Sequence, residues 1–176
     1  MMTPFQQLLQ SEEKSLLCAS SLPDLGSHQD DWQGIGFKLG DAELLSAMGD
    51  VKEILDTPEY TRVPGVKSWV VGIANVRGSL LPLIDLRSFV TGNGLKNKKD
   101  GRVLVVNYRG TNTGLIVDDV QGMRYFQNSE QAYELPDISE KLKPYIKKAF
   151  QRDGQYWPVF SFNTLKEDER FLYASL

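Results

Sequence analysis

The sequence has one cysteine, Cys18, and one histidine, His28, in 176 residues. A single cysteine closes no internal disulfide, and one thiol with one imidazole cannot supply the Cys/His spacing of a structural zinc site. Long hydrophobic runs are also missing. The longest, residues 69–74 and 80–84, fall far short of the roughly 20 apolar residues that a spanning helix needs. The first basic residue is Lys14 and no apolar stretch follows it, so the start does not read as a secretory signal. Together these absences lead to the expectation of a soluble protein in the reducing cytoplasm, with no direct membrane insertion. An excess of positive charge is absent too. With 20 Lys and Arg against 23 Asp and Glu, the net charge is -3. Duplex DNA and anionic membranes select dense cationic surfaces, so neither is the expected partner. The hydrophobic fraction of 41% is enough to bury a core, which excludes global disorder.

Catalytic signatures are equally scarce. A nucleophile needs a tuned base beside it, yet His28 lies in a polar stretch, residues 20–31, where a solvated surface role suffices. Cys18, on or just after a first helix, reads as a structural thiol. Asp118 and Asp119 are adjacent, and neighbours on a strand point to opposite faces, so they read as surface acids at a strand end. Asp24, Asp30 and Asp31 beside His28 lack the spacing of a calcium loop. Gly34-x-Gly36 and Gly92-x-Gly94 lack the third glycine and the strand-to-helix setting of a dinucleotide site. The expectation is a protein that is not an enzyme, with no catalytic residues, no cofactor and no metal.

Three segments differ in pattern. In residues 1–31, Thr3-Pro4 offers an N-cap and a first-turn proline, and Phe5, Leu8, Leu9 and Leu16 lie on one face, so an amphipathic helix and a polar linker are expected. From Trp32 the period becomes two. Ile35, Phe37 and Leu39 alternate up to a Gly40-Asp41 turn, which leads into a second strand at residues 43–48. Residues 50–55 read as a helical turn or a bent strand. Runs at 70–76 and 80–86 flank Arg77-Gly78, and runs at 103–108 and 114–118 flank residues 109–113, giving two more hairpins. Pro82 removes a ladder donor, which places it at an edge or a bulge. Residues 91–101 read as a mobile loop. Leu142, Tyr145, Ile146, Ala149 and Phe150 have helical spacing, with Lys141, Lys143, Lys147, Lys148 and Arg152 on the opposite, polar face. Asp153-Gly154 then turns into a last strand at 156–162. Many short strands between glycine turns suggest a barrel or sandwich. A small oligonucleotide-binding barrel is the alternative function that this pattern leaves open.

The densest stretch narrows the choice. Val63-Pro64-Gly65, Gly72-Ile73-Ala74-Asn75-Val76-Arg77-Gly78 and Pro82-Leu83-Ile84-Asp85-Leu86 resemble the signature of CheW-like coupling domains. Phe37-Lys38-Leu39-Gly40, Val51-Lys52-Glu53-Ile54 and Gly114-Leu115-Ile116-Val117-Asp118-Asp119-Val120 match that family's other segments in the right order. Trp32-x-Gly34-Ile35-Gly36-Phe37 and Tyr60-Thr61-Arg62-Val63, with the N-terminal extension, are similar to members that serve type IV pili and twitching motility. Leu44-Leu45-Ser46 and Pro158-Val159-Phe160-Ser161-Phe162 depart from the family pattern.

The resemblance implies a mostly β, CheW-like fold of two small SH3-like β-barrel lobes sharing a core, with short helices and an N-terminal helical extension. The expected domains are 1–31 as helix and linker, 32–165 as the two-lobed domain, and 166–176 as a tail. The implied function is a non-enzymatic adaptor between the cytoplasmic tip of a methyl-accepting chemoreceptor and the regulatory domain of a CheA-type histidine kinase, with no nucleic acid involved. Such a protein would be recruited from the cytoplasm to membrane-associated receptor arrays. By the match, Val51, Ile54 and Val76 form the apolar wall of the receptor site. Arg77 donates hydrogen bonds beside the turn residue Gly78, and Glu53 holds Arg77 in place across the groove. The resemblance assigns no kinase-contacting residues.

Overall fold

The structure is a computed structural model that describes residues 31–108 and 110–172. The helix and linker expected before residue 31 lie outside the described residues, as do Cys18 and His28. In chain order the strands are β1 (Asp31–Leu39), β2 (Ala42–Ala47), β3 (Val51–Asp56), β4 (Tyr60–Thr61), β5 (Val70–Val76), β6 (Ser79–Asp85), β7 (Arg102–Tyr108), β8 (Thr111–Val117), β9 (Asp119–Gln127), β10 (Ile146–Arg152) and β11 (Gln155–Phe160). Helices α1 (Leu86–Thr91), α2 (Phe162–Glu167) and α3 (Glu169–Leu172) are short. The strands form two sheets, ordered β10-β11-β2-β1-β9 and β3-β7-β8-β6-β5-β4. The expected hairpins are present, and their turns hold positive φ at Gly40, at Arg77 and Gly78, at Gly110, and at Asp153 and Gly154. Such turns match the twist of the strands they join.

Each sheet is buried on both faces over its middle, and the adjacent apolar residues follow from that. On β7, Leu104 and Val106 enter one core while Val103 and Val105 enter another. On β2, Leu44 and Leu45 diverge in the same way. Successive side chains on a strand face opposite sides, so an unbroken apolar run reads as a strand covered on both. One core is shared: Phe37, Leu44 and Phe160 from the first sheet meet Ile84, Leu104, Val106 and Leu115 from the second. Each sheet also encloses a core of its own. The first holds Leu45, Phe126, Phe150 and Val159 with Trp32 and Trp157 against them. The second holds Val71, Leu81, Leu83, Val103, Val105 and Ile116. This is the two-lobed, mostly β arrangement expected.

Neither sheet ladder closes into a full ring among the described residues. In the first lobe the gap between β9 and β10 is spanned by a single bridge, Gln131 to Phe150, and by the Ala132 N–H donating to the Ala149 carbonyl at 2.9 Å. Arg152 reinforces it by donating to Glu130 Oε1 at 2.6 Å and to the Tyr125 carbonyl at 2.7 Å.

Several expectations are corrected. The helix expected over residues 142–150 is a 3-10 turn, Lys143–Tyr145, followed by β10. The residues chosen for its apolar face are buried, but a register shift between Ile146 and Lys148 lets a strand mimic helical spacing. The cationic helix face behind the oligonucleotide alternative is therefore absent. Lys143 pairs with Glu140, and Lys148 lies 5.1 Å over the rings of Trp32 and Phe150. The strand expected to reach Leu86 stops one residue earlier, because the Asp85 side chain accepts from Ser88 N–H at 2.8 Å and caps α1. Residues 92–101 are tied to that same carboxylate, which accepts from Leu95 N–H at 3.1 Å and Lys98 Nζ at 2.7 Å. Asp118 accepts from Gly40 N–H at 2.7 Å and Arg87 at 2.8 Å, so it fastens the β1–β2 turn rather than facing solvent as a surface acid. Pro82 lies on an interior strand, one residue before the parallel ladder to β8 begins at Leu83 and beside the bulge at Val70/Gly72.

Of the segment expected as a C-terminal tail, 166–176, the described residues 166–172 form a clasp. Phe171 is buried, stacks at 6.3 Å on Trp69 and meets Phe89 edge-on at 5.6 Å. The Tyr145 hydroxyl donates to Asp168 Oδ2 at 2.5 Å, and Arg170 donates to Tyr145 Oη and Asp168 Oδ2 at 2.7 and 2.8 Å. The hydrogen bond from Arg170 is the main force holding the Asp168 carboxyl down at about 2 against its ordinary 3.8. A carboxyl depressed on folding stabilises fully above its unfolded value, and that stabilisation is lost as pH falls through the folded one. The melting temperature is expected to drop between about pH 4 and pH 2, and Asp168→Asn to flatten that part of the profile. Identical acid limbs in thermal melts of the two proteins would mean that the clasp adds nothing.

Candidate functional site

The site is built from the β5–β6 turn. Val76 and Ser79 close the ladder, leaving Arg77 at φ +50° and Gly78 at φ +81°. The Gly78 N–H donates to Asn75 Oδ1 at 3.0 Å. Glycine adopts this left-handed conformation freely, whereas for a non-glycine residue it costs about 1–2 kcal/mol. Arg77 is held there with its side chain 77% exposed, and its NH2 meets Glu53 Oε1 at 2.7 Å. Glu53 lies on β3, one margin of the second sheet, and Arg77 follows β5, which pairs with β6 on one side and with the two-residue β4, the other margin, on the other. Their meeting shows that the sheet curls until β3 faces the β5–β6 turn. An ion pair bridges the seam where the first lobe uses a backbone bridge.

Beneath the pair lies a groove of 380 Å³, with Leu55, Val76, Leu80, Leu81 and Val105 as apolar lining and Thr111 and Asn112 on the rim. Leu80 is 71% exposed, and Lys52 Nζ donates to Asn112 Oδ1 at 3.1 Å. Of the residues singled out from sequence, the fold brings Glu53, Val76 and Arg77 together at the groove, with Gly78 in the turn. It does not bring Val51 or Ile54 there. A register shift between Val51 and Glu53 leaves Val51 packed against the shared core. Ile54 pairs with Leu104, so it shares the face opposite Glu53 and is 41% exposed. Sequence reasoning missed Leu55, Leu80, Leu81 and Val105. Leu55 was within reach of the two-residue alternation from Glu53, whereas Val105 enters only through the pairing of β3 with β7.

Residues 33–170 match the model of the CheW-like domain. The chain belongs to the CheW-like family. It is 41% identical to Protein PilI of Pseudomonas aeruginosa over 170 residues, covering 97% of this chain and 95% of that protein. That alignment extends through most of the segment before residue 31, which the CheW-like model does not cover. The chain is also 24% identical to the chemotaxis protein CheW of Bacillus subtilis, over 77% of this chain and 86% of that one. The fold is shared with the scaffolding protein TtCheW of Thermoanaerobacter tengcongensis, with a TM-score of 0.63 and 24% identity over 74% of this chain and 88% of the other. The stretch Asn75-Val76-Arg77-Gly78, inside the matched residues, is the turn that carries the ion pair. Among the described residues, no helix is long and apolar enough to cross a membrane.

Proposed function

We propose that this protein is a non-enzymatic chemotaxis-type adaptor that holds a chemoreceptor tip beside a CheA-type histidine kinase. By its likeness to PilI, it would act in a system governing type IV pilus twitching motility. The observation that carries the reading is the Glu53–Arg77 pair over the apolar groove at the open seam of the second lobe. A receptor tip is a bundle of helices that presents apolar side chains with polar groups between them. Its reader needs an apolar recess with a few oriented donors. Val76, Leu80 and Leu55 supply the recess. Arg77 supplies a planar fork of donors suited to carboxylates or helix-end carbonyls. Because the pair is largely exposed and cheap to break, Arg77 can exchange Glu53 for a receptor acceptor. The kinase regulatory domain would meet a different surface, and the molecule would work from the cytoplasm on membrane-associated arrays.

The test is reconstitution from receptor cytoplasmic fragment, kinase and this protein. Kinase autophosphorylation is expected to respond to receptor only when all three are present. A response that is the same without this protein overturns the adaptor reading.

A further inference from the structure

The far end of β5 carries a second recess unlike the first. It measures 290 Å³ and is walled by Tyr60, Val63, Val66 and Val70. Its charged side chains are all cations: Arg62, Lys67 and Lys98. Lys98 is committed, since its ammonium sits 2.7 Å from the fully buried Asp85 carboxylate. Arg62 and Lys67 are exposed, and neither has a carboxylate within ion-pair distance among the described residues. In a chain of net charge -3, a recess with two uncompensated cations and no acid on its rim runs against the overall balance. Beside it, β4 pairs with β5 on one side only, so its outer edge offers unpaired backbone groups.

From these features we infer that this recess is a docking site for an acidic segment of a partner protein, one that carries aliphatic side chains between its carboxylates. The aliphatic groups enter between Val63, Val66 and Val70, and the carboxylates meet Arg62 and Lys67. Complementary charge of this kind sets partner choice and association rate. The Arg77 turn and Val70 lie at opposite ends of β5, on the order of 20 Å apart at the rise of a strand. Both surfaces can therefore be filled at once.

The inference can be tested on the full chain without any receptor or kinase, so its failure and that of the adaptor reading are separable. The probe is a fluorescent peptide of alternating glutamate and leucine, followed by anisotropy, with a lysine–leucine peptide and a single-stranded oligonucleotide as the other arms. Binding of the acidic peptide is expected. It should weaken about tenfold or more in the double variant Arg62→Glu, Lys67→Glu and remain unchanged in Lys147→Gln, an exposed cation on β10 of the first sheet. The neutralised pair Arg62→Gln, Lys67→Gln should fall in between, and circular dichroism confirms that each variant is folded. No binding of the acidic peptide, equal binding by the double variant, or capture of the oligonucleotide instead of the peptide would overturn the inference.

Discussion

Arg77→Glu is expected to cost receptor binding on the order of 2 kcal/mol or more, about a thirtyfold loss, with the fold intact. The two halves of that statement have separate physical grounds. The fold survives because the Glu53–Arg77 pair is solvent-facing, with side chains 34% and 77% exposed, and exposed pairs contribute only about 0–1 kcal/mol. Binding suffers because the groove beneath is apolar, so a reversed charge at its rim repels a receptor acceptor and leaves it unpaired. Arg77→Asn separates function from turn strain. Asparagine tolerates the left-handed conformation that Arg77 occupies at φ +50°, so this variant should melt no lower than the parent protein and still bind receptor weakly. Pull-down with a receptor cytoplasmic fragment reads both. Undiminished capture by Arg77→Glu and Arg77→Asn would remove the groove as the receptor site.

The largest stability loss is expected at Asp85→Ala. The carboxylate is fully buried and accepts from Ser88 N–H, Leu95 N–H and Lys98 Nζ. Truncation removes the cap of α1, strands two backbone donors and leaves the Lys98 ammonium, 26% exposed, without its counter-charge. Breaking a buried charge pair from one side costs about 3–5 kcal/mol, and the partial access of Lys98 to water sets the expectation near 3. Asp85→Asn keeps an acceptor for the helix cap and should lose less. Urea denaturation should show the midpoint falling with an unchanged slope. A loss at Asp85→Ala below about 1 kcal/mol would show that the loop is held by other contacts.

Local chemistry made several elements legible in advance. Arg77-Gly78 and Asp153-Gly154 specify turns with positive φ, and the run at 103–106 specifies a strand buried on both faces. The stretch Asn75-Val76-Arg77-Gly78 located the turn, the segment Val51-Lys52-Glu53-Ile54 offered Glu53 as the partner of Arg77, and the structure holds the two together at 2.7 Å. Residues 142–150 were misread because the register shift at Ile146/Lys148 gives a strand the spacing of a helix. Ile54, expected on the apolar wall with Val51 and Val76, lies outside the groove for a similar reason. The register shift at Val51/Glu53 changes which residues share a face, and no local signal marks it.

The sequence by itself determined the hairpin turns, the strand periods of the segments before residue 120 and the family, because each depends on residue types over a few positions. Only the tertiary structure decided that the second sheet curls until β3 faces the β5–β6 turn, that Val51 goes inward while Ile54 faces away from the groove, and that Phe171 belongs to the core. Curl and register sum many cross-strand contacts, and a single inserted residue moves every later side chain to the other face.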